Sequence, residues 1–333
     1  MHASTLRRGR VVEEPSTPVS AADFIKVAGL RLVRPYYFDY ICSVKDRWQG
    51  KGVIDVLHDE FPGQPRAFYE AAYADGRLRV EGAPPGADAS LPLGDGLRIR
   101  HYTHRHEPPV LDVPIPMLGM TEALVAIGKP PSMPVHASGQ HRKNSVVAVL
   151  EAEAAHLGLL RPVHRLDKGV SGVLLFARSA AAATELSRRI EAHDVEKVYV
   201  ARVCGAFPAE SLTLDVALAW NPRTNHVTVV PGGPLAAAAA RKAAAAAAGS
   251  FDTAGAAKPA LTEFRRLAIA PDGCTSLVEC RPRTGRTHQI RVHLQALGHP
   301  VANDVQYGGT YPGPERFLRG GKAYLDADPR SLH

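Results

Sequence analysis

The order in which the predicted strands and helices follow one another constrains the fold of this chain most strongly. Short alternating or apolar runs, most of them bounded by a Gly, Pro or Asp-Gly turn, recur along the sequence. They predict strands at 77–80, 97–102, 123–127, 173–177, 197–203, 212–219, 226–230, 261–269 and 275–280. Helical segments are predicted at 53–61, 68–74, 146–156, 180–192 and 287–297, without a regular βαβ rhythm. This order favours an α+β fold with a mixed, largely antiparallel sheet over a doubly wound parallel one.

The 333 residues suffice for one large domain and one small one. We predict a flexible tail at 1–30, a small module at 31–106, a linker at 107–120 and a larger domain at 121–333. The small module, with two helices and a basic hairpin, is compatible with RNA binding and equally with a structural cap. A tract of mostly alanine at 235–257 predicts a low-complexity insertion, to which we assign no function.

Composition limits the partners and the compartment. The net charge of +7 favours polyanions, nucleic acid above all, as partners. No apolar run approaches the ~18 residues of a spanning helix, so we expect no membrane. Four scattered cysteines without a C-x-x-C pair indicate a reducing compartment rather than a zinc ribbon. We therefore expect an intracellular protein, cytoplasmic or nuclear, with a mitochondrial one as the alternative because the N-terminus is basic.

The stretch from His164 to Gly172 carries the first candidate site. Its aspartate, Asp167, follows Arg165 by two positions and precedes a run of apolar residues that predicts a buried strand. Asp167 is thus expected on a turn at the edge of a sheet, beside a cation that keeps the carboxylate ionised. Such a group can act as a nucleophile or stabilise positive charge, whereas a helix cap or a surface ion pair is the structural alternative.

The second candidate site is the predicted helix at 287–297. Thr287 is expected to cap it and Gly298 to end it, which leaves one apolar face and one polar face that includes Arg291. The N-terminus of this helix, with Arg286 beside it, is predicted to bind an anion. The helix does not predict zinc, because His288 and His293 are five positions apart with no acid between them.

A third cluster of polar residues falls in the His- and Pro-rich stretch near the predicted linker. Its members could suggest a metal, but nothing in the sequence fixes their geometry, so we expect a solvated loop. These residues are His101, His104, His106 and Glu107.

Four motifs together resemble the RluA-type pseudouridine synthases. They are Lys129-Pro-Pro131 with Pro134-Val-His136, His164-Arg-Leu-Asp167 with Ser171-Gly172, Lys197-Val-Tyr199, and Thr284 to His293 followed by Leu297-Gly-His-Pro300 and Asp304. Their order and spacing agree over roughly 120–310. The segments 34–40 and 48–61 are similar to the eukaryotic branch that modifies tRNA, and the hairpin 75–102 resembles a degenerate S4-type module. One departure is Val170, where the family usually has threonine.

The resemblance implies an isomerase that breaks the glycosidic bond of uridine in RNA, turns the base and rejoins it through C5. It implies no cofactor and no metal. It makes Asp167 the essential residue, which either attacks C1′ or takes the 2′ proton. Arg291 is expected to keep Asp167 ionised, with Arg286 as second choice, and Tyr199 to stack on the base.

The remaining site residues are expected to bind the substrate. Ile290 would form the floor of the uracil pocket, although Ile290 and Tyr199 are equally compatible with plain core positions. Arg165 would fill the gap left by the flipped uridine. His164, Arg286 and Lys129 complete the substrate-binding set.

The expected partner is RNA, tRNA first and rRNA second, and the protein is expected to be a monomer. Two other functions remain open. An inactive RNA-binding protein on the same fold is one, although the retained Asp167 and Arg291 favour an enzyme. A nucleoside or base hydrolase is the other, although no second motif-placed acid is available to activate water.

Overall fold

The computed structural model describes residues 12–61, 63–84, 87–221, 224–230 and 257–310. The basic N-terminus and nearly all of the alanine tract lie outside these residues. The chain divides into two compact units, Met1–Asp112 with His136–His156 and Val113–Val135 with Leu157–His333. Each unit is described on its own.

Within the described part of the first unit there are seven strands and three α-helices. Its strands are β1 (Val12–Glu13), β2 (Phe24–Val27), β3 (Leu30–Val33), β4 (Tyr36–Ser43), β5 (Leu78–Glu81), β6 (Arg98–Arg105) and β7 (Val110–Leu111). Its helices are α1 (Val53–Glu60), α2 (Arg66–Ala74) and α3 (Val146–Glu153), with 3-10 turns at Ala21–Asp23 and Asp46–Trp48.

Two small sheets organise the first unit. One has the order β1-β4-β6-β5 and the other β2-β3-β7, and all pairs are antiparallel except β1 with β4. A core cluster joins the inner faces of α1 and α2 to β5 and β6. Its members include Trp48, Val53, Val56, Leu57, Tyr69, Ala72, Leu78 and Ile99. The apolar spacing of the two helices creates this core, because residues three and four apart share a face.

Nine strands and two α-helices lie in the described residues of the second unit. Its strands are β8 (Met117–Met120), β9 (Leu124–Lys129), β10 (Arg161–Pro162), β11 (Gly172–Ala177), β12 (Tyr199–Cys204), β13 (Leu212–Asn221), β14 (His226–Val230), β15 (Lys258–Ile269) and β16 (Thr275–Pro282). Its helices are α4 (Ala180–Glu191) and α5 (Gln289–Ala296), with a 3-10 turn at Val305–Tyr307.

Both sheets of the second unit are fully antiparallel. Their orders are β10-β11-β9-β8 and β12-β16-β15-β13-β14. Along β13 every second side chain is buried (Leu214, Val216 and Leu218), as the two-residue period of a strand requires. These residues share a core with Val292 and Leu294 of α5. The predicted α+β class with antiparallel sheets is confirmed.

Several predicted boundaries are wrong. Strands β1 and β2 fall in the segment predicted as a flexible tail, and β7 and β8 fall in the predicted linker. Helix α3 is capped by Ser145, whose hydroxyl accepts from the backbone N–H of Ala148. No helix within the described ranges is both long and apolar enough to span a membrane.

Candidate active site

The loop between β10 and β11 holds Asp167 in the second unit. A turn forms there because the N–H of Val170 donates to the Asp167 carbonyl at 3.0 Å. Lys129, at the end of β9, pairs with Gly172 at the start of β11. Its ammonium donates to the carbonyls of Pro130 at 2.7 Å, Lys168 at 3.3 Å and Val170 at 2.7 Å. The lysine therefore fastens the Asp167 turn to β9 through the two residues, Lys168 and Val170, that follow the aspartate.

Lys129 is only 1% exposed. Burial lowers its pKa to about 8, although the negative charge of Asp167 acts in the opposite direction. All three hydrogen-bond acceptors of the ammonium are backbone carbonyls. Its ammonium therefore holds the loop through these carbonyls.

Arg291 of α5 faces the Asp167 loop. Its Nη1 donates to Oδ2 of Asp167 at 3.2 Å, which confirms the ion pair expected from the sequence. The fork of the guanidinium, however, binds a different carboxylate, since Nε and Nη2 donate to the two oxygens of Asp304 at 2.6 and 2.9 Å. One arginine is therefore shared by two acids.

Arg291 remains a cation despite its burial. Burial lowers the pKa of the guanidinium, but the hydrogen bond and charge of Asp304 and the charge of Asp167 outweigh it and raise the pKa above its ordinary value. The Arg291 guanidinium also lies over the Tyr307 ring, 4.7 Å from its centroid. Two acids and an aromatic face thus keep this arginine charged and fixed in place.

His288 and Tyr307 form the other wall around Asp167. His288 precedes α5 with a left-handed backbone, φ 52°, so it caps the helix where the sequence predicted Thr287. Its Nε2 is 3.8 Å from Oδ2 of Asp167, and its Nδ1 is 2.7 Å from the hydroxyl of Tyr307. A histidine and an acid therefore occupy the start of the helix, where an anion site was predicted.

Tyr199 and Ile290 pack against the apolar core of the second unit. Burial raises the pKa of the Tyr199 hydroxyl, and the negative charge of Asp167 raises it further. Tyr199 is therefore a neighbour of the candidate site. Ile290 makes the core contacts that the sequence left as its alternative role.

The other candidate residues lie around this centre with different partners. Arg165 is exposed, and the contact to Asp167 comes from Arg291. His164 accepts the N–H of Leu175 through Nε2 at 3.1 Å. Arg286, the second choice as partner of Asp167, instead donates from Nε to the Pro259 carbonyl at 3.0 Å.

No cluster of three or more histidine, cysteine or acidic side chains suited to a metal occurs in the part of the chain that the structure describes. Burial lowers the pKa of His101 to about 4, with the charge of Arg77 acting in the same direction. His104 and His106 contact each other through ring nitrogens 3.1 Å apart. Glu107 accepts four hydrogen bonds from other groups.

Three site residues were not predicted. Asp304 falls inside a quoted motif but had no role assigned, His288 had been placed on the polar face of the helix, and Tyr307 was not singled out. The shared feature that could have identified Asp304 and Tyr307 is their position on one short turn after a motif.

Comparisons with known proteins identify the family of this chain. The RNA pseudouridylate synthase family matches residues 123–296, which include every motif residue from Asp167 to Arg291. The chain is 40% identical over 305 residues to RNA pseudouridine synthase 7 of Arabidopsis thaliana, covering 92% of this chain and 72% of that protein.

Two yeast relatives extend the comparison. The chain is 35% identical to the tRNA pseudouridine(31) synthase of Saccharomyces cerevisiae, over 87% of this chain and 76% of the relative. It is also 35% identical to the mitochondrial tRNA pseudouridine(32) synthase of the same yeast, over 89% of this chain and 59% of the relative. The chain belongs to the RNA pseudouridylate synthase family, of the RluA type, and is an isomerase that forms pseudouridine in RNA.

Proposed function

We propose that this protein converts a uridine of tRNA to pseudouridine with Asp167 as the essential catalytic group. The observation that carries the proposal is the Asp167–Arg291 ion pair at 3.2 Å, on a loop fastened by Lys129. The choice of tRNA is supported by the two yeast relatives whose names specify tRNA. Ribosomal RNA is the second candidate.

The reaction needs a carboxylate because the C1′–N1 bond breaks with its electron pair leaving on the uracil. In one route an Asp167 oxygen bonds to C1′ as that bond breaks, and C5 of the turned uracil later displaces the carboxylate. In the other route Asp167 takes the 2′ proton, and returns it after C5 has added to C1′. In both routes the proton at C5 is lost and N1 gains one, so the product is an isomer. Both require an ionised carboxylate close to the ribose.

Arg291 serves both routes in the same way. A carboxylate enclosed by substrate loses water and would tend to take up a proton. The guanidinium beside it prevents this, and Asp304 keeps the guanidinium oriented. Tyr199 is proposed to stack on the uracil, Ile290 to line the base pocket and Arg165 to fill the space of the flipped nucleotide.

The remaining assignments concern RNA binding. We propose that residues 31–106 form a degenerate S4-like module that binds RNA, that the catalytic domain lies within 121–333, and that the protein acts as a monomer. His164 and Arg286 are proposed to contact the substrate. One yeast relative is named as mitochondrial, so the mitochondrion stands beside the cytosol and nucleus among the proposed locations.

Tritium release tests the proposal directly. The full-length protein is incubated with tRNA or rRNA transcripts that carry 5-tritiated uridine, in the presence of EDTA. We expect release from tRNA, insensitive to EDTA, with pseudouridine as the only new nucleoside. Binding without release would indicate an inactive RNA-binding protein, free uracil would indicate a hydrolase, and release from rRNA alone would refute the choice of substrate. Pseudouridine mapping in cells with and without the protein then identifies the modified position.

A further inference from the structure

We propose that His288, held by Tyr307, is a positioning residue that acts with Arg291 on one oxygen of Asp167, so that the other oxygen, Oδ1, is the one that meets the ribose. This inference rests on the proposed function, since it names the reacting atom of the same site. No motif role identifies either residue; both are identified by their contacts.

The backbone of His288 is the first observation. It adopts the left-handed conformation, φ 52°, directly before α5. Non-glycine residues are uncommon in this region, and when one occurs there its side chain often has a specific task. The conformation turns the ring toward the Asp167 loop, where its side chain is only 7% exposed.

The hydrogen bonds of Tyr307 determine which atom is the donor in its contact with His288. The hydroxyl of Tyr307 accepts the backbone N–H of Val227 at 3.0 Å and lies 2.7 Å from Nδ1 of His288. Tyr307 is fully buried, and within the described ranges no other acceptor is assigned to its proton. The hydroxyl therefore donates to Nδ1 of His288.

The tautomer of His288 follows from that donation. A neutral imidazole whose Nδ1 accepts a hydrogen bond carries its proton on Nε2. Burial lowers the pKa of His288, and the charge of Arg291 lowers it further, against the charges of Asp167 and Asp304. The neutral ring therefore presents an N–H toward Oδ2 of Asp167 at 3.8 Å. Contacts of this length in active sites often shorten when substrate binds.

The two donors converge on the same carboxylate oxygen. Nη1 of Arg291 lies 3.2 Å from Oδ2 and Nε2 of His288 lies 3.8 Å from it. Within the described residues Oδ1 has no hydrogen-bond donor, and 27% of the Asp167 side chain is exposed. An oxygen that is hydrogen-bonded to Arg291 and faced by a second donor, His288, is the weaker nucleophile and base, so Oδ1 is the reacting atom in either route.

Other charged and titratable groups near the pair bear on any pH measurement. Arg165, Arg291, Asp304 and Tyr307 face His288 or its partner, and Lys129 and Tyr199 act on the Asp167 side. Variants are therefore compared with one another rather than with a single expected pKa.

The first experiment measures the tautomer without using activity. The full-length protein is labelled with ¹⁵N-histidine, and His288 is assigned by its loss in His288→Asn. We expect the Nε2–H tautomer in the wild type and its loss or exchange in Tyr307→Phe. An Nδ1–H tautomer in the wild type would overturn the inference even if the protein proved inactive on every RNA tested.

The second experiment tests whether His288 acts through its N–H donor or only by filling space beside Asp167. Glutamine can place its amide nitrogen near the position of Nε2, whereas asparagine tolerates the left-handed backbone but is too short to reach Asp167. We expect single-turnover tritium release within about threefold of the wild type for His288→Gln, and about a tenfold loss for His288→Asn and Tyr307→Phe, with unchanged RNA affinity. Equal rates for the two His288 variants would contradict the inference.

The pH profile and a control variant complete the test. The acid limb of the rate should move to higher pH in His288→Asn, because a donor that favours ionised Asp167 is lost, and should stay in place in His288→Gln. Ser276→Ala is the matched control, since Ser276 is 1% exposed and its hydroxyl bonds Gly205 and Phe207 away from the site. It should leave rate and acid limb unchanged; an unmoved acid limb in His288→Asn would overturn the inference.

Discussion

Two carboxylates, one in each unit, are held in opposite ways. Glu107 of the first unit accepts four hydrogen bonds, two on each oxygen. The donors are the hydroxyl of Tyr36 at 2.6 Å and the backbone N–H groups of Arg142, Lys143 and Asn144 at 2.8, 3.0 and 3.0 Å. Asp167 of the second unit has both of its near donors on Oδ2 and none assigned to Oδ1.

The difference distinguishes a structural acid from a reactive one. Glu107 is 7% exposed, and each of its oxygens accepts two hydrogen bonds. It therefore ties the segment at 142–144 to β4 and stabilises the first unit. Asp167 is held firmly enough to stay ionised and oriented, but one oxygen remains available. Asp167 thus combines a fixed orientation with one oxygen whose lone pairs are not engaged by donors of the described residues.

The comparison predicts that Asp167 depends on its arginine for activity. Arg291→Ala should reduce single-turnover tritium release about a hundredfold or more, with less than about a threefold change in RNA affinity. Arg291→Lys should recover only part, because one ammonium cannot bind both acids. The double variant Arg291→Ala/Asp304→Asn removes the uncompensated acid and should remain equally slow. A double variant that regains wild-type activity would contradict the role of Arg291.

The comparison predicts that Glu107 matters for stability instead. Glu107→Gln places an amide NH₂ among four donors and should lower the free energy of unfolding by about 2–4 kcal/mol. Urea denaturation measures this change. Glu70→Gln, which removes an exposed partner of Arg66, is the control and should change stability little. A Glu107 variant as stable as the control would show that the four hydrogen bonds are replaceable.

The two histidines of α5 and its cap differ in the same way: His288 lies beside Asp167, whereas His293 is buried in the core. His293 is fully buried, and neither of its ring nitrogens has a hydrogen-bond partner among the described residues. Burial lowers its pKa to about 4 from 6.5. As the pH falls, His293 therefore takes up a proton in the unfolded chain at a higher pH than in the folded chain.

We expect stability that is complete above pH 6.5 and decreases by about 1–3 kcal/mol as the pH falls to 4. His293→Phe, which keeps an aromatic ring beside Phe264, should flatten this dependence. Unfolding at a series of pH values measures it, and an equally steep loss in the variant would assign the acid sensitivity to other groups.

The smallest expected effect concerns Arg286, which lies near the site without contacting Asp167. Arg286→Ala should weaken RNA binding severalfold at low salt, and the loss should shrink as salt increases, because a phosphate contact is electrostatic. The maximal rate should stay near that of the wild type. A salt-independent loss of rate would instead indicate that Arg286 takes part in the catalytic step, as Arg291 does.

Local rules explain what the sequence could predict. The spacing of apolar residues predicted α1, and Ser179, a residue type that favours helix starts, caps α4 through a hydroxyl that accepts the N–H of Ala182. The apolar run after Asp167 predicted β11 within one residue. The partnership of Arg291 with Asp167 followed from the resemblance and from the polar face of the helix.

The missed features depend on contacts between residues distant in sequence. Asp304 takes the fork of Arg291 from a turn thirteen positions later, and Tyr307 fixes His288 through a hydroxyl whose other partner is Val227. No sequence pattern predicts the left-handed backbone of His288. The sequence assigned Lys129 to a motif and to substrate binding, and only the folded sheet brings its ammonium to two carbonyls of the Asp167 loop.

The most direct test of the account is the activity of Asp167→Asn in single-turnover tritium release, measured with its RNA affinity. Asparagine keeps the shape of the side chain but provides neither a nucleophile nor a base. We predict a rate at least about a thousandfold below the wild type, with RNA affinity within about threefold because binding depends on many basic contacts. Activity within tenfold of the wild type would contradict the assignment of Asp167 as the essential group.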